Sequence, residues 1–480
     1  MKRLVCVSNR IAVPRRAAAP GGLAVGILGA LHHTGGLWFG WSGETSDAPA
    51  MQPHVTVRDN IRFVTIELNS AEFDRYYNGY CNSTLWPLFH YSPGRFRHEQ
   101  QEYEAYESVN AQFARQLRPL LRDGDAVWVH DYQLIPLGRQ LREEGFEGPI
   151  GFFLHIPFPH AQMLRLLPTA PELVKDLCRY DLVGFQTKDD LESFMSSADP
   201  SSSARVGVYP IGVDVEQVQR EAAISMTEET VQRMIASLLG RQLIIGVDRL
   251  DYSKGLTERF AAFEHFLTSF PDSQGKVTFL QIAPLSRVDV HAYSEIRLAL
   301  EQTAGRLNGR FAEADWTPVR YLNRNFSHAT LMGFMRAARV AFVTPVRDGM
   351  NLVAKEFVAA QDGDDPGVLI ISPMAGAARE LAGALQVNPY DKGGMANALQ
   401  TALHMPLEER RRRHARNLEA IRRRDIHSWY RGFLGDLVGE PFTPTAPGAR
   451  AGRATRAGSQ LVGAERGAGF AEERSARSFE

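Results

Sequence analysis

Short apolar, β-branched runs alternate with longer stretches of helical period through most of the chain. The runs at 3–8, 63–68, 126–130, 150–155, 181–185 and 206–209 read as strands buried on both faces, which means a parallel sheet with helical crossovers. A second series follows at 243–247, 277–282, 319–322, 340–344 and 368–372. Together they predict an α/β protein of two Rossmann-like, doubly wound units facing each other across one deep cleft. The crossing between them is expected after YPIGVD at 209–214, where a Glu- and Gln-rich helical stretch at 227–239 leads into the second series. The expected divisions are a first unit at 1–225, a second at 226–425 and a helix at 426–440 packing back on the first unit. From 441 to 480 the composition turns to Ala, Gly, Arg, Ser and Pro without apolar period, so this tail is expected to be disordered and outside the chemistry.

Composition adds exclusions. With 480 residues, 44% hydrophobic and 23% charged, the chain has the make-up of a soluble globular protein of two large domains or three smaller ones. Lys and Arg number 54 against 55 Asp and Glu, a formal net charge of −1, so no global field recruits nucleic acid or an anionic membrane. An anionic ligand must be caught by local charges. The three cysteines, Cys6, Cys81 and Cys178, have no CxxC spacing, which argues against a disulfide framework or zinc ribbon and for a reducing, cytoplasmic setting. The N-terminus lacks a signal-type apolar region, and no run approaches the roughly 20 apolar residues of a membrane span.

Candidate chemistry gathers at predicted strand ends. GGLAVG at 21–26 follows the first strand and enters an apolar helical pattern, where glycines let backbone N–H groups approach a diphosphate. It is neither GxGxxG nor GxxxxGK[ST], so nicotinamide and ATP chemistry lose support. His130 and Asp131 end one predicted strand and His155 another, at the sheet edge where open α/β folds bind ligands. Arg249 and Lys254 lie in the first strand-to-helix connection of the second unit. A guanidinium fork plus an ammonium suits two phosphoryl groups of one diphosphate, unless Asp248 and Asp251 neutralise the pair as surface charges. VRDGMNLVAKE at 346–356 is the most specific stretch: a Gly turn follows Asp348, and the helical run 351–361 carries Glu356. Asp348 can then reach a sugar hydroxyl, Glu356 a ribose and the first-turn N–H groups a phosphate. The DGD triplets at 123–125 and 362–364 read as glycine turns rather than metal handles, and the Arg-rich 407–424 as a solvated helix face.

The combination of SNR (8–10), GGLAVG (21–26), GLWFGWSG (36–43), YYN (76–78), LWP (85–87), HDY (130–132), HIPFP (155–159), RLDYSK (249–254), Arg287 and RDGMNLV (347–353) resembles the bacterial trehalose-6-phosphate synthases. The match runs in order over roughly residues 1 to 435. That resemblance implies the GT-B fold and a retaining transfer of glucose from UDP-glucose to glucose 6-phosphate, with no metal and no cofactor beyond the sugar nucleotide. It also implies a trehalose-6-phosphate phosphatase as the next enzyme of the pathway and allows a homo-oligomer, while nucleic acid and membrane are not implied.

By the same resemblance, Arg249 and Lys254 bind the diphosphate together with backbone N–H groups of Gly22, Leu352 and Val353, and Glu356 holds the ribose. Asp348 takes hydroxyls of the donor glucose, with the backbone at Met350 and Asn351 helping and His155 on the other side of the sugar. Asp131 orients the acceptor, and Arg10, Tyr77, Trp86 and Arg287 form its phosphate pocket. Phe326 falls where uracil binds. Two alternatives stay open: a transferase of the same donor with another acceptor, such as the glucosylglycerol-phosphate synthases, and a non-catalytic sugar-phosphate sensor. The Pro373–Met374 pair and the Ala- and Arg-rich loop 13–20 depart from the family pattern without touching these positions.

Overall fold

Strand β1 (Arg3–Arg10) illustrates the two-sided burial: Leu4 and Cys6 enter one hydrophobic cluster, Val5 and Val7 another, and all four are fully buried. Burial on both faces requires covering layers on both sides, which parallel sheets obtain from their crossover helices. The computed structural model describes residues 3–11, 13, 23–49, 52–199, 204–285 and 291–439. In it β1 belongs to an eight-stranded sheet with β2 (Gly36–Ser46), β3 (His54–Arg58), β4 (Ile61–Asn69), β5 (Asp125–His130), β6 (Ile150–Phe153), β7 (Leu182–Phe185) and β8 (Arg205–Val208). The order is β3-β4-β2-β1-β5-β6-β7-β8, parallel except for the antiparallel edge strand β3.

The second sheet contains β9 (Gln242–Val247), β10 (Val277–Ile282), β11 (Val319–Leu322), β12 (Val340–Val343), β13 (Val368–Ile371) and β14 (Leu385–Gln386). Its order is β11-β10-β9-β12-β13-β14, parallel throughout. In both sheets the chain winds outward one way and then restarts on the other side, so the order reverses between β1 and β5 and between β9 and β12. Crevices open at the carboxyl ends of such reversals, and these four strands carry most of the candidate chemistry.

Every predicted strand is present with ends shifted by two residues or fewer, but β2, β3 and β14 were not predicted. Glycines interrupt the apolar run of β2, and the sheet needs them there. A Cβ on Gly36 would lie 2.2 Å from the Leu4 carbonyl oxygen, and one on Gly40 2.2 Å from that of Ser8. Strand β3 covers the edge with Val55 and Val57 both exposed, so it has no buried face to announce it.

The chain crosses between the sheets twice, side by side: a Cβ on Gly212 would meet the Arg424 carbonyl oxygen at 2.2 Å. After the first crossing, helix Val215–Ser225 packs on helices His328–Ala337 and Leu352–Ala360 of the second sheet's layer. After the second, helix Ile426–Val438 lies against the first sheet, with Trp429 and Phe433 on Trp128 and Phe433 filling the space beside Gly151 and Gly184. Arg205 donates to the Asp436 carbonyl at 2.6 Å, and the Tyr209 hydroxyl bonds the Asp436 carboxylate at 2.6 Å. Several arginines of helix Leu407–Arg423 are engaged within the chain, Arg410 with Asp365 and Arg413 with Glu409 at 2.6 Å each. Of the DGD acids, Asp125 starts β5 and pairs with Arg3 at 2.5 Å, and Asp362 pairs with Arg336 at 2.8 Å. No helix among the described residues is long and apolar enough to cross a membrane.

Candidate active site

The end of β1 begins the first wall. Arg10 is exposed and lies over the Trp41 ring at 5.5 Å, while Tyr77 stacks on Phe73 at 5.1 Å and sits 6.4 Å from the same tryptophan. The π helix Asp74–Leu85 carries Tyr77 and runs into helix Trp86–Phe89. Trp86 is buried, and its ring stacks on His90 at 4.0 Å and receives the guanidinium of Arg249 at 5.7 Å. The wall that follows β1 and the cation Arg249 after β9 are thus in contact. Burial holds the His90 imidazole down to about 4 despite the nearby acids Asp251 and Asp348, so a neutral ring supports Trp86.

Beyond β5, Asp131 adopts φ 75°, a conformation that costs about 1–3 kcal/mol for a residue with a side chain. Its carboxylate accepts from the backbone N–H of His155 at 3.2 Å, and its own N–H donates to the Phe153 carbonyl at 2.8 Å. The acid and the histidine predicted at separate strand ends are therefore joined. Burial pushes the His155 imidazole down to about 3, so the ring is neutral at physiological pH.

The second wall is built at β9 and β12. Asp248 is bound to the buried Arg259 at 2.6 Å, and Asp251 accepts from the Ser253 N–H at 2.9 Å and the Tyr293 hydroxyl at 3.1 Å. These acids are occupied within the fold, and among the described residues Arg249 makes no ion pair. Lys254 instead meets Asp348, Nζ to Oδ2 at 2.6 Å. The same oxygen accepts from the Asn351 side-chain amide at 3.0 Å. Burial alone would raise the Asp348 carboxyl, but Lys254 and Asn351 outweigh it and hold it below the usual carboxylate value.

Asn351, at φ 74°, is the N-cap of helix Leu352–Ala360, and its Oδ1 accepts from the Ala354 N–H at 3.1 Å. That leaves the N–H groups of Leu352 and Val353 without a partner among the described residues, facing out of the positive end of the helix. Met350 is buried and its carbonyl accepts from Ala377 at 2.8 Å. Gly349 closes the gap between the walls: a Cβ there would lie 2.3 Å from the His155 carbonyl oxygen.

Glu356 lies one turn into the helix, where His328 Nε2 approaches it at 3.5 Å while His328 Nδ1 bonds Glu221 at 2.6 Å. Sequence reasoning missed this clamp, since nothing local marks His328. The hydrogen bond to Glu356 is the main cause that raises the His328 imidazole, burial opposes it, and Glu221 helps carry it to about 9. A raised folded-state value gives stability that is full below about 6.5, the ordinary histidine value, and lost as pH rises through about 9. Urea unfolding is expected to show roughly 2–3 kcal/mol more loss between pH 6.5 and 9.5 in the wild type than in H328Q. Equal losses would contradict the clamp. Phe326 packs edge-to-face on Phe334 at 5.3 Å beneath Arg324, two residues before His328 in the chain. Gly22 and Arg287 lie outside the described residues.

The profile of glycosyltransferase family 20 matches residues 8–438. The chain belongs to glycosyltransferase family 20. It is 47% identical to the trehalose-6-phosphate synthase of Cronobacter sakazakii over 93% of this chain and 97% of that one. Among solved structures, the UDP-forming α,α-trehalose-phosphate synthase of Burkholderia vietnamiensis is 50% identical with a TM-score of 0.89, over 92% of this chain and 99% of that one. A Burkholderia xenovorans synthase in complex with glucose 6-phosphate is 48% identical with a TM-score of 0.88, over 91% and 100%. An Escherichia coli enzyme bound with UDP-2-fluoro glucose is 46% identical with a TM-score of 0.87, over 91% and 98%. The family 20 chain accordingly has the GT-B fold, with its two parallel sheets forming the paired walls described above.

Proposed function

We propose that the protein transfers glucose from UDP-glucose to glucose 6-phosphate, giving α,α-trehalose 6-phosphate and UDP with retention at the anomeric carbon. The observation that carries this reading is the Lys254–Asp348–Asn351 cluster at the mouth of helix Leu352–Ala360, with the cation Arg249 in the same connection and His155 opposite. Relatives solved with glucose 6-phosphate and with UDP-2-fluoro glucose support both substrates.

Breaking the glycosyl–phosphate bond develops positive charge at the anomeric carbon and negative charge on the leaving phosphate. Arg249, Lys254 and the N–H groups of Leu352 and Val353, with Gly22, meet that negative charge with fixed positive ends, which lowers the barrier without reorganisation. In this reading they supply the charge that a metal supplies elsewhere. Asp348 stays ionised, so it acts as an acceptor for donor-sugar hydroxyls rather than as an acid. Glu356, steadied by His328, takes the ribose, and Phe326 lines the base pocket. Arg10, Tyr77, Trp86 and Arg287 receive the acceptor phosphate, and Asp131 orients the attacking hydroxyl. The leaving phosphate itself takes the acceptor's proton in a front-face displacement, so no covalent nucleophile is assigned.

The domains fit this division of labour. We assign acceptor binding to the first sheet with helix Ile426–Val438, and donor binding to the second sheet with helix Val215–Ser225, the crossings at 210–214 and 424–425 acting as hinge. The setting is the cytoplasm, and the product suits hydrolysis by a sugar-phosphate phosphatase. UDP release should require glucose 6-phosphate. Release with glycerol 3-phosphate instead would keep the donor chemistry and replace the acceptor, and binding without release would mean a sensor.

A further inference from the structure

His130 stands behind His155 and has no part in the roles above. It is fully buried at the end of β5, and its Nδ1 lies 3.2 Å from His155 Nε2. Trp128 packs on its ring at 4.4 Å, and Trp429, arriving from helix Ile426–Val438, lies 6.2 Å from His130 and 5.9 Å from His155. The other nitrogen of His130, Nε2, is buried and has no hydrogen-bond partner among the described residues. Burial keeps both rings neutral, since it disfavours the charged form, and His155 also discourages charge on His130.

Two neutral imidazoles at this separation must place one N–H against one lone pair. Were His155 the donor, His130 would carry its own proton on Nε2, a buried N–H with nothing to accept it. With His130 as donor, Nε2 is only an unused lone pair. Orphaned buried N–H groups are the rarer and costlier of the two. We infer that His130 is a positioning residue: it donates its Nδ1–H to His155 Nε2 and obliges His155 to carry its proton on Nδ1, as a hydrogen-bond donor to an oxygen of the transferred sugar. The nitrogen that sets the tautomer is thus remote from the sugar, as is usual for paired histidines. The inference rests on the proposed place of His155 beside the donor glucose.

The test is a double-mutant cycle of H130L and H155A, with H130N as the conservative variant, at saturating glucose 6-phosphate. H130L is expected to lower kcat roughly ten- to hundredfold. Asn, which presents an amide N–H near the position of Nδ1, should restore most of it. In the H155A background H130L should have no further effect, because both changes remove one interaction. The urea midpoint of H130L should not fall, since the unpartnered Nε2 disappears with the ring. An H130L effect that persists undiminished in the H155A background would overturn the inference alone. Full kcat in H155A itself would remove His155 from the sugar site, and the inference with it. Nitrogen-15 spectra of the wild-type histidines give an independent reading: Nδ1 protonated and Nε2 bare on His155 is expected, and the reverse overturns the assignment.

Discussion

Lys254→Ala is expected to lower kcat for UDP release roughly a hundred- to a thousandfold. The ammonium does two things in one place. In the free protein it neutralises Asp348 at 2.6 Å, and during reaction it meets charge that develops on the leaving phosphate. Interactions that strengthen in the transition state act on kcat rather than on KM, so the KM for glucose 6-phosphate should change little. Arg249→Ala should lower kcat likewise, because Arg249 makes no ion pair among the described residues, and losing its contact with Trp86 should in addition raise the KM for glucose 6-phosphate. Steady-state kinetics with both substrates varied decide the matter. A kcat within a few-fold of wild type in both variants would remove the two cations from the leaving-group site.

Lys355→Met is expected to destabilise the fold by about 3–5 kcal/mol. Lys355 is completely buried, 2.9 Å from the Glu380 carboxylate, and donates to the Ile211 carbonyl at 2.8 Å. Burial lowers its ammonium and Glu380 restores part of the loss, as expected for a charge kept in a dry place by one partner. Removing the lysine strands Glu380 in the interior with, among the described residues, Arg424 at 3.8 Å to offset it. The double variant K355M/E380Q should regain most of the stability, since neither charge is then left alone. A single-variant urea midpoint equal to wild type would show that the pair is solvated. Because Ile211 belongs to the crossing beside Arg424, the single variant should also loosen the hinge between the sheets and so weaken exclusion of water from the sugar.

Strands with two buried faces were legible because their apolar runs are too short for a buried helix and rich in β-branched residues: β1, β9 and β10 are the plain cases. Strand β2 was hidden because its glycines mark close approach to β1 in the fold but a turn in the sequence. The candidate site divides in the same way. Local chemistry was readable where one segment carries it, as in Asp348, Asn351 and Glu356 around a single helix start. Partners distant in sequence were not. Nothing near Asp248 points to Arg259, nothing near Glu356 points to His328, and the contact of Gly349 with His155 depends on two sheets meeting. Pairing of charges across a fold is settled by topology, which residue spacing does not carry.

The most direct measurement of the central claim is the NMR spectrum of the product formed from UDP-glucose and glucose 6-phosphate by the purified protein. A phosphorylated, non-reducing disaccharide with both anomeric carbons in the α configuration is the predicted result. A reducing disaccharide, a β-linkage or free glucose as the only product would contradict it.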